Sequence, residues 1–268
     1  DFKIVVEHQT IESLEFRNSR RYLEILFDKY YGDFLRRNCD AIVGVTDEIT
    51  RYEISRSGID DKPHITIGNG CDVASLPVRN PPEDINGRLE ILILAKFQKW
   101  HALDRVLEGL KNKPLSLDTV VHLVGSGKEM DRILEKAETC GLNKVFVSHG
   151  YLKGKELDDL FDRCHVAVGA LGVHRKGLLQ STPLKNREYC SRGMPFISSS
   201  PDPDFPEDSP WILSLQADDS PLDFEQIVQF ARAVIDDRDH PQKMRSFAIK
   251  NLDWSVKMYR LKSFLLAL

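Results

Sequence analysis

Short apolar runs alternate along this chain with longer stretches whose apolar residues recur every three or four positions. Runs at residues 2–7, 41–45 and 64–67 predict strands, and the stretches at 11–37 and 48–57 predict helices between them. A second series comes after them: strands at 89–95, 119–124, 145–148, 166–171 and 195–198, separated by helices at 103–111, 129–140, 155–163 and 184–192. Ile91-Leu92-Ile93-Leu94 and Val120-Val121-His122-Leu123-Val124 are nearly unbroken apolar runs. Strands of that kind are buried on both faces, so their sheet should be parallel and covered by helices. Regular alternation of strand and helix then predicts a doubly wound α/β fold. The end of the chain, 224–236 and 240–268, reads as helix, amphipathic near its end through Trp254, Met258, Leu261 and Leu265.

Residues 68–88 are rich in Gly, Pro, Asn and Asp and break the pattern. The predicted organisation is half a Rossmann-like domain at 1–70, a linker at 71–88, a complete Rossmann-like domain at 89–240 and terminal helices at 241–268. Three strands alone leave an unpaired sheet edge. The chain also opens at Asp1, directly before a strand, so the expectation is a first domain lacking its upstream part. Composition narrows the classes. Among 268 residues, 37 basic and 41 acidic side chains give a formal charge of −4, which argues against nucleic acid as the main partner. No apolar run approaches the roughly 20 residues of a membrane span. Cys39, Cys71, Cys140, Cys164 and Cys190 are widely spaced, with no C-x-x-C pair. That pattern is neither a zinc site nor a disulfide framework, and it predicts a reducing compartment, hence the cytosol.

Candidate chemistry concentrates in residues 180–196. Ser181 or Thr182 suits the N-cap of a helix, Pro183 its first position, and Gly193 followed by Pro195 its end. The first turn carries Lys185, with Arg187 next, where a helix N-terminus normally attracts acids. Free amides, the helix dipole and a lysine together make a phosphate site. Glu188, on the same face, suits a ribose diol, so the pair outlines a nucleotide. The same spacing also suits a surface ion pair. Gly125-Ser126-Gly127 comes directly after a strand, but the third glycine of a dinucleotide fingerprint is replaced by Met130, which disfavours NAD.

These residues resemble the donor-binding domain of retaining GT-B glycosyltransferases, the glycosyl transferases group 1 family. Glu188, Gly193, Pro195, Phe196 and Ile197 match the second half of that family's pattern, a Glu, seven residues, a second Glu, then G-x-P-[VF]-I. Lys185 with Glu188-Tyr189 resembles the P-x-K-x-x-E-Y variant, and Gln180 stands where the first Glu is expected. In the family's G-R-L-x-x-x-K-G, Lys96 falls on the Arg and His101 on the Lys. Asn69-Gly70-Cys71-Asp72 resembles the N-G-x-D hinge, 125–127 its G-x-G, and 145–150 the V-x-F-x-G strand whose following backbone lies against the base. The basic loop 169–179, with His174, Arg175 and Lys176, would fold over the donor. The tail with Trp254 is similar to the family's terminal helices, which cross back onto the first domain.

The resemblance implies a GT-B-like α/β fold, one Rossmann-like domain complete and the other partial. It implies a hexosyltransferase-like enzyme moving a sugar from a nucleoside-diphosphate sugar to a glycan or lipid-linked acceptor, with retention, in polysaccharide biosynthesis. Lys96, Lys185 and Glu188 would be the catalytic set. Lys96, His101, Ser148, His149, Gly150, Tyr151, Gln180, Ser181, Thr182, Leu184, Lys185 and Glu188 would bind the donor. No metal or cofactor is expected beyond the donor, and no nucleic acid. A cytoplasmic place at the inner membrane face is expected, with peripheral contact through upstream sequence. If His101 serves as a cation, donor affinity should rise as pH falls from 8 to 6. Gln180 leaves a second reading, a non-catalytic nucleotide-sugar-binding module that needs a partner or an upstream segment.

Overall fold

The computed structural model describes residues 2–111 and 117–268, so Asp1 and residues 112–116 lie outside the described residues. Its smaller sheet holds β1 (Val5–His8), β2 (Ala41–Gly44) and β3 (His64–Thr66), parallel and in that order. Between β1 and β2 run α1 (Glu12–Asn18), α2 (Tyr22–Phe27), one π turn at Asp28–Gly32 and α3 (Asp33–Asn38). The single helix expected over 11–37 is therefore broken. Arg20 sits at φ +57°, a left-handed conformation that no helix continues through. α4 (Asp47–Ser57) joins β2 to β3.

The larger sheet takes β4 (Arg88–Lys96), α5 (Leu103–Lys111), β5 (Asp118–Ser126), α6 (Lys128–Thr139) and β6 (Phe146–Gly150). It continues through α7 (Lys155–Arg163), β7 (Val166–Val168), α8 (Leu184–Arg192), β8 (Phe196–Ser198) and β9 (Ile212–Ser214). All six strands are parallel, in the order β6-β5-β4-β7-β8-β9. Strand β9 was not expected; at three residues behind a proline-rich acidic loop, it carries too short a pattern to read. Ile91, Ile93, Val121 and Leu123 pack on one face with Val106 and Ile133, while Leu92 and Val124 pack on the other with Phe161 and Tyr189. Full burial of each such side chain contributes roughly 1.5–3 kcal/mol. The doubly wound expectation holds, and both faces of β4 are sealed as its sequence required.

Helices α9 (Phe224–Asp236), α10 (His240–Asn251) and α11 (Trp254–Ala267) complete the chain. The expected helix 240–268 breaks where the Asp253 side chain accepts the amide of Ser255 at 2.8 Å and starts a new N-terminus. The Trp254 amide donates to the Cys71 carbonyl at 3.0 Å, and Arg260 to the Thr66 carbonyl at 3.1 Å. Nor is the linker loose: buried Arg79 donates to the carbonyls of Gly193 (3.0 Å) and Cys164 (2.5 Å). All five cysteines are free; Cys39, Cys164 and Cys190 are buried, and Cys140 is exposed.

Strand order places the crevice in which a ligand can sit. From β4 the chain winds one way through β5 and β6, then returns to place β7 on the other side of β4. In open α/β sheets the space outside the carboxyl ends of the strands at such a switch point is where ligands bind.

Candidate functional site

A cavity of about 230 Å³ lies at that switch point. Trp100 and His101, just beyond β4, line it, as do Ala170, Val173, Lys176, Leu178 and the run from Gln180 to Pro183, beyond β7, with Lys185. The smaller sheet supplies the opposite wall from its own carboxyl ends: Gln9 and Thr10 after β1, Val45, Thr46 and Ile49 after β2, and Asn69 after β3. Two parallel sheets thus aim their carboxyl ends at one space.

Two helix N-termini meet there, and they differ. At α4 the Thr46 hydroxyl accepts the Ile49 amide at 3.2 Å, and Asp47 and Glu48 occupy the first turn. At α8 the N-cap position is Pro183, no side chain caps the helix, and the first turn holds no acid. This corrects the expected cap at Ser181 or Thr182. The Thr182 oxygens instead take the Asn69 amide, at 2.9 Å for the carbonyl and 3.2 Å for the hydroxyl. Asn69 and the residue before α8 are fastened together, and the first turn of α8 is left open.

Lys185 stands in that open turn. Its Nζ is buried without any hydrogen-bond partner, and desolvation pushes its pKa down to about 7. An unpaired buried amine is costly, so the position calls for an anion. Lys176 adds a second cation to the lining, and no carboxylate residue lines the cavity. Lys176 lies 5.3 Å from the centre of the Trp100 ring.

His101 does not supply a third charge. Its Nδ1 accepts the Gln98 amide at 2.9 Å, which fixes a neutral ring with hydrogen on Nε2. Burial, and then the charge of Lys185, push its pKa down to about 3. The expectation of a histidine cation raising affinity between pH 8 and 6 is overturned here, because the ring is desolvated beside a lysine. His101 is a neutral donor.

Gln180 is committed elsewhere. Its Oε1 accepts the Glu48 amide at 3.1 Å, while Glu48 Oε2 accepts the amides of Leu179 and Gln180, both at 2.8 Å. Glu48 thereby pins the 179–180 loop to α4. Sequence reading missed Glu48, since nothing links it to residues more than 130 positions away. Trp100, Thr46 and Gln9 were missed for the same reason.

The structure thus gathers His101, Gln180, Ser181, Thr182 and Lys185 around one cavity. The other expected donor residues do not line it. Glu188 is paired with Arg192 at 2.9 Å, and Arg192 in turn with Asp158 at 2.6 Å. Leu184 is exposed on the first turn of α8, and Lys96 is exposed at the end of β4. Ser148, His149 and Gly150 end the edge strand β6, followed by exposed Tyr151, whose hydroxyl accepts from Ser126 at 2.8 Å. His149 is tied inward: its Nε2 meets His122 Nδ1 at 2.9 Å, and His122 Nε2 bonds Glu90. The loop expected to fold over a donor is a short 3-10 helix, Val173–Lys176, held by Arg175 on Asp104 (2.8 Å) and Asp219 (2.7 Å).

Residues 79–207 match the family model described as glycosyl transferases group 1. That segment is just under half of the chain, and over it the chain is similar to this family. The matched segment contains β4 to β8, α8 and every cavity residue contributed by the larger sheet. No curated protein matches the sequence. Among solved structures, Anabaena HepE in complex with UDP and glucose aligns over 99% of this chain and 72% of its own, at 13% identity and TM-score 0.69. A sucrose-phosphate synthase from Thermosynechococcus elongatus aligns over 100% and 69%, at 15% identity and TM-score 0.70. The lipopolysaccharide outer core galactosyltransferase WaaB aligns over 98% and 75%, at 14% identity and TM-score 0.67. The shared architecture is the GT-B fold. Among the described residues, no helix is long and apolar enough to cross a membrane.

Proposed function

We propose that the chain transfers a hexose from a nucleoside-diphosphate sugar, of the UDP-sugar kind, to a hydroxyl of a glycan or lipid-linked acceptor, with retention at the anomeric carbon. The single observation that carries this reading is the partnerless Nζ of Lys185 beside the uncapped first turn of α8. In this reading the donor pyrophosphate lies at that turn. The bond from the anomeric carbon to the phosphate oxygen breaks, and the electron pair leaves with the diphosphate. The acceptor oxygen bonds to the same face of the carbon, and its proton passes to the departing phosphate. Charge develops on the diphosphate, where Lys185, Lys176 and the α8 amides stabilise it. His101 Nε2–H is placed to donate to a sugar or phosphate oxygen. Glu188, oriented by Arg192, would take the ribose diol. Lys96 and the end of β6 would lie along the nucleotide. No metal is required, since the chain supplies the positive charge itself. The cytosol, close to membrane-bound acceptors, fits such donors.

Isothermal calorimetry with UDP tests this. A lysine with a pKa of about 7 when the site is empty must take up a proton as the anion binds above that pH. Affinity should therefore be full below pH 7 and fall by up to tenfold per pH unit above it. Lys185→Met should weaken binding about 10- to 150-fold, the equivalent of roughly 1.5–3 kcal/mol, and abolish the pH slope. A flat profile from pH 6 to 9, unchanged in Lys185→Met, would reject the role.

The second reading, a binding module without transfer, is favoured by Gln180 being occupied with Glu48. Tight UDP binding with no sugar transfer or donor hydrolysis would support it.

A further inference from the structure

A second cavity, of about 310 Å³, lies on the far side of α8's first turn and shares no lining residue with the first. The loop between them is closed by a hydrogen bond of 2.9 Å joining the Ser181 and Ser200 hydroxyls. Asn186 lines this second space. The residue is 1% exposed, and neither its Nδ2 nor its Oδ1 has a hydrogen-bond partner. A buried amide left unpaired on both sides is rare and asks for an occupant that donates and accepts at once.

The rest of the lining narrows the chemistry. The Ser199 hydroxyl donates to the Ala170 carbonyl at 3.3 Å and keeps its oxygen lone pairs to accept, while Ser198 shares its hydroxyl hydrogen between the Ala170 and Ser200 carbonyls, at 3.2 and 3.1 Å, and already accepts the Ser200 amide at 3.4 Å. Phe196 and Phe205, 5.7 Å apart and edge to face, give an apolar wall. The buried Asp202 carboxylate is held by Arg187, and the exposed Glu207 is the other acid of the lining, able to accept from hydroxyls. Anionic ligands find no unpaired positive charge here. The volume is twice that of the cavity of roughly 150 Å³ that takes up benzene.

We propose that this pocket binds a neutral polyhydroxylated molecule of sugar-ring size, with Asn186 gripping adjacent hydroxyls and the two phenyl rings facing its C–H surface. It is a saccharide subsite distinct from the anion site of Lys185, and it stands whether or not a nucleotide binds there.

Side-chain amide resonances of protein labelled with ¹⁵N-asparagine read this pocket directly. The Asn186 pair is assigned by its loss in Asn186→Leu or, if that variant does not fold, through its contact with Gly169. D-glucose and glycerol are titrated to about 100 mM, a hundredfold above a millimolar dissociation constant. The expected result is a saturable shift of the Asn186 pair with glucose, weakened at least tenfold by Ser214→Trp at the exposed mouth. No shift, a shift that never saturates, or one equal in wild type and Ser214→Trp would overturn the proposal and leave the amide to ordered water alone.

Discussion

The two sheets are built on opposite conventions. Around the larger one, helices turn their apolar side inward, and the strand core of Leu92, Ile93 and Val121 is fully buried. Beside the smaller one, α2 and α3 do the reverse. Arg36 is buried against Glu53 and Asp28, and Arg56 pairs with Asp33 at 2.5 Å, so the charged side faces the protein. Leu23, Phe27, Tyr30, Tyr31 and Phe34 are 60–70% exposed on the other side. Amphipathic spacing says which residues share a face, and it does not say which face is covered. In the first region folding is driven by removing apolar area from water. In the second the helix is fastened by ion pairs, which hold only while every partner is present.

That contrast can be broken. Arg36→Met should cost about 3 kcal/mol, because it strands the buried Glu53 carboxylate with only His8 beside it at 3.4 Å, while Asp28 keeps Arg56 at 3.1 Å. Urea unfolding would show it; a loss under 1 kcal/mol would mean that the network is decorative. In the larger sheet, Ile93→Ala should cost about 2–5 kcal/mol by leaving a cavity in a sealed layer, read as a shift of the same midpoint.

Acid should act next. His240 donates from Nδ1 to the Asp237 carbonyl at 2.8 Å and accepts from Arg79 at Nε2 at 3.2 Å, so it is held neutral. Burial pushes its pKa down to about 4, against roughly 6.5 in the unfolded chain. The unfolded state then binds the extra proton first. This contribution is whole above pH 6.5 and is lost as pH falls towards 4, on the order of 3 kcal/mol in all. His240→Gln should flatten that part of the profile, and an unaltered acid slope would refute the assignment. The smallest effect sharpens the contrast most. Phe27→Ser should change stability by no more than about 0.5 kcal/mol, since the ring is already 60% exposed. A loss like that of Ile93→Ala would show that the outward face is covered in solution.

Much of the fold was legible because it rests on local pattern. The continuous apolar runs at 89–95 and 119–124 became β4 and β5, each extended by a residue or two at its ends. Failures came where a local event was weakly encoded: the turn at Arg20, the three residues of β9, the cap at Asp253. At the site, Lys185 was readable from a cation in a helix start that lacked acids. The charge state of His101 was not, because it depends on the Gln98 amide and on desolvation by neighbours.

By itself the sequence determined a parallel α/β architecture, a break in the pattern near Asn69 and a helix at 184–192 whose first turn carries a lysine and no acid, since each arises from the spacing and chemistry of residues close together in the chain. Only the tertiary structure decided that Glu48 clasps Gln180, that Lys185 and Lys176 face one cavity while Glu188 turns to Arg192, and that Asn186 is left unpaired behind them. Those outcomes depend on which distant groups packing brings within about 3 Å, and on how much water it removes from each. No local pattern carries that information.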